Sequence, residues 1–90
     1  MDKITLKVAA ASHPATVAGA IANNVREDKL VELVAMGANS VNQAVKAIAI
    51  SRDYLKDDKI ELSCQPEFIH LILDGQEKSA LRFVILPRRS

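Results

Sequence analysis

Ser12 and His13 stand just ahead of Pro14, and Asn39, Ser40, Asn42 and Gln43 follow Gly37. Each group opens a segment whose apolar residues recur at helical spacing. The first turn of a helix leaves N–H groups without intrahelical partners and carries the positive end of the dipole, so an anion is favoured there. Hydroxyl and amide side chains add donors, His13 adds a positive charge when protonated, and Lys46 supplies a cation one turn further on. The same residue types also serve simply as helix caps. Two readings therefore stand side by side: contact with phosphate, or capping alone.

Covalent and acid–base chemistry finds less material. A nucleophile needs a neighbouring base and a third group to orient it. The only cysteine, Cys64, ends the alternating stretch Ile60-Glu61-Leu62-Ser63-Cys64 on its apolar side, where cysteine behaves as a small hydrophobe. His70 falls on the opposite parity. The two histidines, at 13 and 70, make no metal-site signature, and neither GxxxxGK[ST] nor GxGxxG occurs. Asp57, Asp58 and Glu61 read as a solvated turn. The expectation is a protein that is not an enzyme, with no catalytic residue, metal or cofactor.

The chain has 90 residues, with 12 Lys+Arg against 11 Asp+Glu and a formal net charge of +1. That length suits one domain, spanning residues 1–90. The near balance of charge excludes a protein that coats DNA with a wholly basic surface, but not a local basic patch. The cations available to such a patch are Lys46, Arg52, Lys78, Arg82, Arg88 and Arg89, the last two in a terminal stretch expected to fray. With two Phe, one Tyr and no Trp, a base-stacking platform is not expected. A hydrophobic share of 49% supports a packed core. A leader-like segment and a membrane-length apolar run are both lacking, so a cytoplasmic protein with no membrane partner is expected.

Six elements must position these residues. Ile4 to Val8 alternates as a strand; Pro14 to about Glu27 carries Val17, Ile21 and Val25 on one helical face. Gly19 in that helix reads as a site of close backbone approach. Leu30 to Met36 is a mostly buried strand. A second helix runs from about Ser40 to Leu55, with Val41, Val45, Ile48 and Leu55 as its core stripe. Ile60 to Leu73 and Lys78 to Leu86 form a hairpin around Asp74-Gly75. The apolar set shifts from even positions (Ile60, Leu62, Cys64) to odd ones (Ile69, Leu71, Leu73) across Pro66, so a bulge is expected there. The fold class is α/β: a two-layer β-α-β-α-β-β sandwich with a mixed four-stranded sheet and two helices on one face. On that register Phe68, Ile72, Val84 and Leu86, beside Val34 and Met36, lie on the uncovered sheet face and mark a self-association surface.

Ser12-His13-Pro14 with Val17-Ala18-Gly19-Ala20-Ile21-Ala22, the run Gly37 to Arg52, and Asp74-Gly75-Gln76-Glu77-Lys78-Ser79-Ala80 resemble the stage V sporulation protein S family over nearly the whole chain. The resemblance implies an Alba-like domain, the α/β fold of an archaeal chromatin protein. It also implies a small bacterial regulatory protein whose relatives influence spore development and are taken to bind nucleic acid. Against the Alba pattern, His13 replaces a basic residue in the first loop, Gln43 replaces a lysine, and the hairpin tip is acidic. Each departure removes a cation from the contact.

The leading expectation is a regulator that binds the phosphate backbone of DNA or RNA through Ser12, His13, Asn39, Ser40, Asn42, Gln43, Lys46, Arg88 and Arg89, and that associates with itself as a homodimer or homotetramer. The alternatives are a self-associating protein-interaction scaffold without nucleic acid, and a sensor of small anions or nucleotides in the helix-terminal crevice.

Overall fold

The computed structural model describes residues 2–90. The elements follow the expected order: β1 (Lys3–Val8), α1 (Pro14–Arg26), β2 (Leu30–Ala35), α2 (Ala38–Tyr54), β3 (Ile60–Leu73) and β4 (Gln76–Arg89). The strands form one sheet in the spatial order β1-β2-β4-β3. β1 and β2 pair in parallel, and β4 runs antiparallel to both β2 and β3. β4 is thus inserted between β2 and β3, and the first three strands share one direction.

Both helices lie on the same sheet face. Val31, Leu33 and Ala35 of β2 and Phe83 and Ile85 of β4 meet Ile21, Ala22 and Val25 of α1 and Ala44, Ala47 and Ile48 of α2 in one core. Fully burying a side chain such as Leu33 or Ile21 is worth roughly 1.5–3 kcal/mol. Ala18, Ala22, Ala44 and Ala47 are all buried, and short side chains at these places let α1 and α2 pack closely. The buried stripe of α2 is Ser40, Ala44, Ala47, Ile48 and Ser51, continued by Leu55. Val45, expected in that stripe, is exposed: the small residues, serines included, take the inward positions. Gly19 has nothing within 4 Å of where a Cβ would stand, so it does not mark a close backbone approach.

The hairpin differs from expectation in register. Pairing runs without interruption from Ile60↔Arg89 through Pro66↔Phe83 to Leu73↔Gln76, with no bulge at Pro66. Asp74 and Gly75 form the two-residue turn with positive φ (51° and 74°). Such a turn makes Leu73↔Gln76 a hydrogen-bonded pair, and alternation then places the odd residues of β3 in bonds to β4. Pro66, an even residue, directs its missing N–H to the free edge of β3, so proline costs the ladder nothing.

This register also corrects the expected open face. Phe68 and Ile72 share the parity of Leu81, Phe83 and Ile85, and so lie on the helix side of the sheet rather than on its open face. They are nevertheless 77% and 74% exposed. The reason is length: β2 pairs with β4 only as far as Ala35↔Leu81. Beyond that pair the hairpin leaves the sheet as a two-stranded arm with no helix over it. Val84 and Leu86 do lie on the open face. Cys64 shares the parity of Ile85, as expected, but is exposed on the edge strand. No helix of the described residues is long and apolar enough to cross a membrane.

Candidate nucleic-acid interface

β1 and β2 are parallel and each leads directly into a helix, so the amino ends of α1 and α2 emerge at one rim of the sheet, where the strands have their carboxyl ends. The hydrogen bonds of Gln43 join α2 to the loop before α1 there. Its Nε2 donates to the carbonyl oxygens of Ser12 at 3.0 Å and Ala10 at 3.3 Å. Ala10, Asn39, Asn42 and Gln43 line a shallow hollow of about 240 Å³ between them. The arm projects from the same rim, because the residues of β4 before Leu81 extend past the carboxyl end of β2.

Neither helix carries a side-chain cap or an acidic residue in its first turn. Ser12, for which capping was one of the two readings, turns inward on its own loop. Its Oγ accepts the Ala9 N–H at 2.9 Å, and its N–H donates to the Ala9 carbonyl at 3.0 Å. His13 occupies the N-cap position of α1 but makes no capping bond, and its side chain is exposed. Gly37 is the N-cap of α2, at φ 89°. That leaves Asn39 and Ser40 inside the first turn, Asn39 exposed and Ser40 buried. A backbone at φ 89° and ψ 155° suits glycine alone, and glycine has no side chain to occupy the free N–H groups. The first turn of α2 therefore presents amides without a side-chain cap, and α1, which opens on Pro14 and directs its Thr16 N–H to the His13 carbonyl at 3.1 Å, presents that of Ala15, with no carboxylate in either first turn.

The expected cations separate. Lys46 is exposed on α2 and makes no ion pair among the described residues; Lys78 lies on the arm. Arg88 and Arg89 lie at the opposite rim. They belong to β4 rather than to a frayed tail: Arg88 pairs with Glu61, and Arg89 donates to Asp28 Oδ1 at 2.6 Å and to the Val25 carbonyl at 2.9 Å. Arg52 is in the last turn of α2, also away from the rim. Arg82 lies on the open sheet face between Glu32 and Glu67. Its guanidinium is held above its ordinary pKa, first by its hydrogen bond to Glu67, against desolvation, with the charges of Glu32 and Glu67 adding.

Two residues join the rim that the sequence reading left out. Phe68 lines an apolar hollow of about 330 Å³ with Ala35, Gly37, Ala38, Val41 and Leu81, which sets an exposed aromatic ring beside the amino end of α2. The unbroken register at Pro66 was the missing signal. Lys7, exposed, is the penultimate residue of β1, whose carboxyl end forms the rim. Its place follows from strand direction alone. On the arm, His70 Nδ1 is 3.2 Å from Glu77 Oε1, so one acidic group of the hairpin has a local partner.

The family model described as Stage V sporulation protein S (SpoVS) matches residues 4–88. The match takes in every element from β1 to β4, and with them the rim, the arm and the open face.

Proposed function

Because the chain belongs to the stage V sporulation protein S family, we propose that it is a non-enzymatic regulator that binds the phosphate backbone of nucleic acid at the rim where α1 and α2 begin. One observation supports this reading above others: two uncapped helix amino ends open side by side, bridged by Gln43, with no acidic residue in either first turn. Backbone amides there, with Asn39, Asn42, His13 and the ammonium of Lys46, are the donors. Arg88 and Arg89, held in ion pairs at the far rim, have no part in it.

The contact is backbone-directed, because phosphate contacts carry no sequence information, and its salt dependence is modest, because few full charges take part. Phe68 adds a single stacking surface beside the amides, which favours an unpaired base over a closed duplex. The test is amide NMR of the labelled chain with a short oligonucleotide. Shifts concentrated at Ala15, Ala38, Asn39 and Asn42 are expected; shifts confined to the far rim, or none, would overturn the reading.

A further inference from the structure

The open face of the sheet carries a row of charges, one per strand in spatial order: Lys3 on β1, Glu32 on β2, Arg82 on β4 and Glu67 on β3. Lys3 Nζ is 3.7 Å from Glu32 Oε1, Arg82 Nε is 3.4 Å from Glu32 Oε2, and Arg82 donates to Glu67 at 2.8 Å. Thr5 Oγ1 also donates to Glu32 at 2.9 Å. Although no helix covers this face, Glu32 is only 9% exposed. Arg82 Nε is buried with no hydrogen-bond partner among the described residues. Apolar side chains flank the row: Leu30, Val84 and Leu86 on one side, Val34 and Ile69 on the other.

We infer that this face binds a second copy of the same chain, about a two-fold axis perpendicular to the row. The signs run plus, minus, plus, minus. Laid against itself in reverse, such a row sets every charge opposite its complement: Glu32 faces the partner's Arg82, and Lys3 faces the partner's Glu67. An axis along the row would set like against like, so the alternation selects the orientation as well as the occupant. The apolar flanks supply the driving force, and the charges fix the register. Two carboxylates in the row make it a poor surface for a polyanion, so this association is separate from the rim.

The test is sedimentation of the full chain without nucleic acid, at about 100 μM. Twice the 9.8 kDa chain mass is expected. Arg82→Glu and Glu32→Arg each set like charges at the centre of the self-paired row, and each alone is expected to lose the dimer. Mixed in equal amounts they are complementary at all four positions and are expected to reassociate within about tenfold of the parent affinity. Circular dichroism checks that both variants fold; if either does not, Leu86→Glu, at an exposed position on the same face, decides by loss of the dimer. A parent that sediments as a monomer overturns the inference. So does a dimer that survives Arg82→Glu and Leu86→Glu, or a mixture of folded charge variants that stays monomeric. The rim is measured independently, so failure here leaves that reading standing.

Discussion

The side-chain amide of Gln43, in α2, donates to the main-chain carbonyl of Ser12, in the loop before α1, at 3.0 Å. Thirty-one residues separate them, and the bond closes the gap between the two helix amino ends. It holds in place a surface that neither loop would keep alone, because neither helix has a capping side chain to order its first turn.

Gln43→Ala removes both bonds to the loop carbonyls and leaves the loop free to move. The expected loss is about 1 kcal/mol, read by urea denaturation. Oligonucleotide affinity is expected to fall as well, since the amides are then less well ordered before contact. An unchanged denaturation midpoint would show that the bridge contributes nothing.

Gly37→Ala and Gly19→Ala are expected to move stability in opposite directions. Space is open around both positions, so backbone conformation decides. At Gly37, φ 89° is strained for alanine and the cost is about 1–3 kcal/mol. In the interior of α1, alanine at position 19 is expected to stabilise by roughly 0.5–1 kcal/mol. Thermal melts of the two variants against the parent check both signs.

Phe68→Ala removes the exposed ring beside the amino end of α2. Single-stranded affinity is expected to fall by about 1–3 kcal/mol if a base stacks there, and duplex affinity by much less. Stability is expected to stay nearly constant, because the ring is 77% exposed. Equal losses for the two substrates would show that no base stacks on Phe68.

Most of the fold was legible because its signals are local. Alternation gave β1, a nearly continuous apolar run gave β2, Pro14 marked the first helical turn, and Asp74-Gly75 marked the hairpin. Parallel strands feeding helices then put both amino ends on one rim. What escaped the sequence depended on partners remote in the chain. Pro66 was read as a break because sequence does not say which strand is at an edge; β3 is one, and its proline faces outward. That single assumption moved Phe68 and Ile72 to the wrong face and hid the aromatic at the rim. Arg88 and Arg89 read as a loose tail because Glu61 and Asp28, their partners, are 27 and 61 residues away. Val45 was counted as core because it is apolar, whereas close packing in α2 selected Ala44 and Ala47.

Phosphate binding at the paired helix amino ends is measured by titrating labelled duplex and single-stranded oligonucleotides with the parent chain and with Lys46→Glu, at about 50 mM and about 200 mM salt. Parent binding is expected to weaken by roughly 3- to 12-fold between the two salts, as one or two cations on phosphate require. Lys46→Glu is expected to bind more weakly at low salt, with no change in sequence preference and a salt slope reduced by about one. Equal affinity of parent and variant at low salt, or no binding by either chain, would contradict phosphate binding at this rim.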